Sequence, residues 1–188
     1  MQQPVVPSTG NGLVARMIGF ATLKTPVMKE VETDTDGTTQ ALIVVALAAV
    51  AAGIGAIGGN GSNILWQIVA AIVGWVVFSL VAYVVGRGLL KGPDTRITIG
   101  QALRMVGFAQ TPKLLGALGF IPLFGWFFGA IAAVWFIIVA IYAVAEAFDV
   151  TLERGALIAV VAGIAMFAVQ ALIAVTLGVT SNLVNWLF

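Results

Sequence analysis

The chain has 188 residues, of which 61% are hydrophobic and 9% charged, with a net charge of +1 and a mean hydropathy of +1.09. Soluble domains carry about 25% charged residues and still need a polar surface at this length, so a soluble globule is excluded and a membrane protein is left. The near-neutral balance offers no footprint for nucleic acid, and a chain without cysteine or histidine lacks disulfides, thiolate nucleophiles and the usual zinc, haem and iron–sulfur ligands, so neither metal nor cofactor is expected.

In chain order, residues 1–38 are expected to form a cytoplasmic segment. They contain Pro4, Pro7 and Pro26, and the first apolar run starts only near Ala41, too late for the apolar region of a signal peptide. Within this segment Leu13, Met17, Phe20, Leu23, Val27, Met28 and Val31 make an apolar stripe, with Arg16, Lys24 and Lys29 beside it. Thr25-Pro26 is a helix restart, with a capping hydroxyl before a first-turn proline. The expectation is an amphipathic element lying on the cytoplasmic leaflet. The acidic run Glu30, Glu32, Asp34 and Asp36 follows as a solvated linker.

Residues 39–188 are expected to form a transmembrane domain of about five helices, since a span needs about 20 apolar residues. Spans are placed near 41–58, 64–85, 102–121, 123–148 and 155–177. The turns between them are the glycine-rich stretch 58–62, the polar loop 91–96, the Ile121-Pro122 break and the polar link 149–154. The third span holds Arg104, Gln110, Thr111, Pro112 and Lys113. Pro112 removes a backbone donor and kinks the helix, so this span is either a kinked crossing or a re-entrant element. Basic residues fall in the N-terminal segment, the second loop and the fourth loop. With five spans that places the N-terminus in the cytoplasm and the C-terminus outside.

Small residues recur at every fourth position: Ala51, Gly55 and Gly59; Gly125, Gly129 and Ala133; Gly155, Ala159 and Gly163. Such rows let helix backbones approach closely in lipid, either within the bundle or against a partner. Intramembrane charges are costly and therefore suspect. Arg104, Lys113, Glu146 and Asp149 are candidates for a charge pair, one of the two carboxylates with one of the two bases. The alternative is that both bases snorkel to lipid phosphates. Phosphate loops, nucleophile elbows and zinc-binding helices are absent as motifs, and no enzyme is expected.

Three stretches carry a resemblance to a known family. They are LKTPVMKEV at 23–31, ALRMVGFAQTPKLLGALGFIPLFGW at 102–126 and VWFIIVAIYAVAEAFDVTLERGALIAV at 134–160. Together they resemble the YIP (Ypt/Rab-interacting protein) family in its bacterial form, over residues 13–180. The resemblance implies a cytosolic N-terminal segment, five spans and a non-enzymatic membrane scaffold in a prokaryotic plasma membrane. Its partners would be the lipid bilayer and other membrane proteins or further copies of itself. The long cytosolic region of eukaryotic members has no counterpart here, which counts against small-GTPase binding. An accessory subunit of a larger membrane complex is the alternative, and a small channel or transporter built on the third span is a further one.

Overall fold

The computed structural model describes residues 12–55, 64–92 and 95–187. These form seven α-helices: α1 (Leu13–Ala21), α2 (Thr25–Thr33), α3 (Gly37–Gly55), α4 (Ile64–Gly88), α5 (Ile99–Ala109), α6 (Gly125–Ala147) and α7 (Leu152–Leu187). A 3₁₀ helix, Thr111–Phe120, lies between α5 and α6. No strand occurs among the described residues. Four helices contain stretches long and apolar enough to cross a membrane: Gly37–Gly55, Ile68–Gly88, Gly125–Ala147 and Leu152–Thr176. Many of their outward residues are large and apolar, as a lipid-facing surface requires.

The third segment is built differently, and its sequence explains how. Proline at 112 cannot donate to the Phe108 carbonyl and clashes with that turn, so α5 ends at Ala109. The Thr111 hydroxyl takes the proline's place and donates to the Phe108 carbonyl at 2.7 Å. The chain then continues as a 3₁₀ helix, unusually long at 10 residues. Its glycines explain the company it keeps. A Cβ on Gly55 or on Gly125 would overlap the carbonyl of Gly116 or of Gly119, and one on Gly119 would lie 3.0 Å from Gly55 Cα. Three backbones meet there with no side chain between them.

The register of α3 against this third segment runs the whole length of both. Arg104 lies against Gly37, Gly107 against Ala41, Gly116 against Ala52 and Gly119 against Gly55. Both run in the same direction. At the rises of the two helix types, α5 and the 3₁₀ helix together extend on the order of 35 Å. Helices α4 and α7 are antiparallel, with Gly74 against Gln170 and Phe78 against Gly163, and Gly86 near the end of α4 meets Phe148, which caps α6.

The N-terminal hairpin docks on the bundle. Phe20, Met28 and Val31 are buried to 1% exposure or less. Phe20 stacks on Phe108 with centroids 5.2 Å apart. The Trp135 indole donates to the Ala21 carbonyl at 2.9 Å. The amphipathic stripe expected on the leaflet thus faces α5 and α6, because those helices offer apolar surface and aromatic partners that a headgroup region lacks. Val14 and Ile18, on the opposite face of α1, are its large apolar residues left exposed.

Candidate functional site

Two polar regions stand out in an otherwise apolar molecule: a clamp at the hairpin end of the bundle, and a cavity at its middle.

The clamp is organised by three cations. Arg16 is 3% exposed although it was expected beside the apolar stripe. Its guanidinium donates to Glu30 Oε1 at 2.8 Å and to Gln40 Oε1 at 2.9 Å, and lies 2.6 Å from Asp34 Oδ2. It therefore ties α1 to α2, to the link after it and to α3. Burial lowers its pKa and the hydrogen bonds to Glu30 and Asp34 raise it, with a net rise. The Arg16 hydrogen bond in turn holds the Asp34 carboxyl below the ordinary aspartate range. The acidic run is accordingly part of the fold and not a solvated linker, because Arg16 needs two of its carboxylates. A sequence signal existed for the burial of Arg16 alone: it is three residues after Leu13 and four before Phe20, so it shares their face of the helix.

Arg104 donates from Nε to the Val31 carbonyl at 3.2 Å, from Nη2 to the Glu32 carbonyl at 2.7 Å and from Nη1 to Thr38 Oγ1 at 3.1 Å. It satisfies the orphan carbonyls at the C-terminus of α2 from another helix. Lys29 donates to the Glu146 carbonyl at 2.9 Å and to Asp149 Oδ1 at 2.7 Å. Its Nζ also lies 3.7 Å from Glu146 Oε1. Glu146 and Asp149 are therefore brought to Lys29, and neither Arg104 nor Lys113 forms an ion pair with them among the described residues. The reason is geometric: the docked hairpin delivers Lys29 to the end of α6, while Arg104 is occupied by α2. Lys29 is 117 residues from Glu146, and no local pattern announces such a pair. Glu32 is buried beside Lys29, with Oε2 3.3 Å from Nζ but outside hydrogen-bond alignment. Burial pushes its carboxyl up from the ordinary glutamate value. Gln101 donates to Glu32 Oε1 at 3.1 Å and also closes a capping box with Thr98 at the start of α5.

The cavity, of about 550 Å³, is lined by all five long segments. Lys113 lines it, with its ammonium 3.7 Å from the centroid of the Phe136 ring. A charged side chain at the centre of a spanning helix costs about 2.5–3.5 kcal/mol on insertion scales. A desolvated cation–π contact returns about 2 kcal/mol of that. Gln110, Gln170 and Trp75 are the other polar side chains on the lining. The Gln170 amide donates to the Ala70 carbonyl at 2.6 Å, and the Trp75 indole to the Leu103 carbonyl at 2.9 Å.

The small-residue rows are distributed between these parts. Ala51 is buried, and Gly55 meets the 3₁₀ helix. Gly59 lies outside the described residues. Gly155 packs on Ala145, a Cβ on Gly163 would approach Phe78, and Ala159 is buried. Gly125 meets Gly119, whereas Gly129 and Ala133 line the cavity, and a Cβ on Gly129 would have nothing within 4 Å. Among the described residues no group of three or more acidic side chains is placed to hold a metal ion.

Apolar helices of crossing length, a polar end and an apolar girdle define an integral, polytopic α-helical membrane protein. A family model described as the Yip1 domain matches residues 20–173. That stretch reaches from the end of α1 into α7, and the chain belongs to the YIP family of membrane proteins. No curated protein and no solved structure gives a significant match.

Proposed function

We propose that this protein is a non-enzymatic membrane scaffold that acts by contact with further copies of itself or with other membrane proteins. It crosses the membrane five times, with the clamp in the cytoplasm of a prokaryotic cell and the C-terminus outside. Membership of the YIP family over residues 20–173 carries the reading. The clamp supports it physically. Its charges are spent on fixing α1 and α2 to the bundle, which turns the cytoplasmic end into a preformed surface. A second reading, a small transporter, is favoured by one observation, the cavity that reaches Lys113.

Migration on a native gel after extraction from native membranes in mild detergent tests the scaffold. A species well above the single-chain 19.5 kDa plus its micelle is expected. A band containing copies of this chain alone supports self-assembly, and co-migrating membrane proteins support a role as a subunit. A monodisperse single chain under all mild detergents would remove the scaffold reading. Anion uptake into proteoliposomes, abolished by Lys113→Met, would put transport in its place.

A further inference from the structure

Two polar side chains, one buried and one half-buried, open on the same cavity without a hydrogen-bond partner among the described residues. The Lys113 ammonium has the Phe136 ring on one side and donates a hydrogen bond to no described residue. Gln110 is 5% exposed, and its amide makes no hydrogen bond to any described residue. Both line the cavity, and no carboxylate among the described residues does. Lys113 lies between the Gly107–Ala41 and Gly116–Ala52 register points of α3, and Phe136 lies at mid-length of α6. The two donors are therefore at half depth in the apolar part of the molecule, where unmet polar groups are costly. The remaining walls are small and apolar, including Ala48, Ala52, Gly129, Ala133 and Met166. At about 550 Å³, the volume falls within the range of roughly 300–1,000 Å³ typical of small-molecule sites.

We propose that the cavity holds a carboxylate-headed amphiphile, with its carboxylate on Lys113 and Gln110 and its hydrocarbon chain along the small-residue wall. The chemistry selects this class. A carboxylate brings two acceptor oxygens for two donors, and the bond to an ammonium is charge-assisted. A phosphate brings more oxygens than the lining can satisfy. A small inorganic anion leaves the apolar walls uncovered. A neutral lipid leaves the ammonium without a counter-charge. The small residues leave room for the chain: at Gly129 a side chain could be added into open space, and this site leaves that space empty of protein.

The test uses the full chain in nanodiscs of zwitterionic lipid and reads tryptophan fluorescence, since Trp75 lines the cavity. The protein is titrated with a fatty acid brominated along its chain, with the methyl ester of that acid, and with acetate as competitor. Saturable quenching by the acid and only linear, partition-type quenching by the ester are expected. Lys113→Met weakens the saturable phase about tenfold or more, the scale of one lost charge-assisted contact, and Lys113→Arg retains it. Gly129→Leu fills the cavity and abolishes the phase with helicity unchanged. That variant decides the matter if Lys113→Met fails to fold. Equal quenching by acid and ester, or an unchanged titration with Gly129→Leu, overturns the proposal. So does displacement by acetate at the concentrations at which the fatty acid itself binds, which would assign the site to a free anion.

Discussion

Arg104 closes the C-terminus of α2 with a side chain from another helix, and the consequence is measurable. Arg104→Met keeps the apolar stem but orphans the carbonyls of Val31 and Glu32. Each buried acceptor left unmet costs about 1–3 kcal/mol, so a fall of several degrees in the thermal midpoint in detergent is expected. Lys29→Met should cost less, because Asp149 and Lys29 are half-exposed and such pairs are worth about 0–1 kcal/mol. Equal destabilisation by the two variants would contradict this ranking. The hairpin also carries two carboxylates of opposite sign in their pH response. Asp34 titrates below its ordinary range, so its contribution is full above that range and is lost as pH falls through the lower folded value. Glu32 titrates above its ordinary value because of burial, so its ionisation cost is full above the raised value and disappears below the ordinary one. On acidification, the protection of amides in α1 and α2, relative to their intrinsic exchange at each pH, should first rise as Glu32 protonates and then fall as Asp34 does. Glu32→Gln should erase the first phase and Asp34→Asn the second. A profile in which Asp34→Asn leaves the acid loss of protection intact would show that Arg16–Asp34 does not hold the hairpin. Neither carboxylate's behaviour was legible in the sequence, where the acidic run looks uniformly solvated. The partners that distinguish its members, Arg16 and Gln101, are set by packing.

At the scale of elements, the departure from a regular bundle is the third segment. Its break was legible, because Pro112 after Gln110-Thr111 removes a donor in any helical register. Its continuation as a 3₁₀ helix was not, since an apolar run with glycines carries no period that separates the two helix types. The structural reason lies in the neighbours. Gly116 and Gly119 let this segment approach the backbones of Gly55 and Gly125, and a slimmer helix fits the space between α3 and α6. A side chain at that junction must push backbone against backbone, which cannot relax as a flexible side chain does. Gly119→Val should therefore cost at least the 1–3 kcal/mol typical of overpacking and lower the yield of folded protein. Gly88→Ala, where a Cβ meets open space, should leave both yield and thermal midpoint unchanged. If Gly119→Val is tolerated as well as Gly88→Ala, the close junction is not a feature of the folded protein. Four apolar helices of crossing length, by contrast, are what composition alone announces, because a lipid-facing helix needs a long apolar run.

For the whole molecule the question is which way the bundle stands and whether the third segment crosses. Eight of the nine Lys and Arg residues belong to the hairpin, the end of α4 and the link after it, α5 and the first turn of α7, and the ninth is Lys113. The structure joins these charged parts at one end. Lys29 reaches Asp149, Thr95 donates to the Phe148 carbonyl, and Arg154 donates to the Lys91 carbonyl. The far end, around Gly55 and the stretch 121–125, carries no charge. The positive-inside bias favours the orientation proposed above, with the charged end in the cytoplasm. A crossing third segment, which shares the direction of α3 and about its length, puts Leu123 at the opposite face from Thr35. The chain has no cysteine, so single introduced cysteines report position without background. Thr35, Leu89 and Thr151 are exposed at the charged end, and Leu123 is 86% exposed at the other. In intact cells a membrane-impermeant maleimide should label Leu123→Cys, and it should reach Thr35→Cys, Leu89→Cys and Thr151→Cys only after permeabilisation. A re-entrant third segment predicts a different pattern, with Leu123→Cys protected like Leu89→Cys and Thr151→Cys labelled from outside. That outcome would also break the contact of Lys29 with Asp149, because the hairpin and the α6–α7 link would then lie on opposite sides of the membrane.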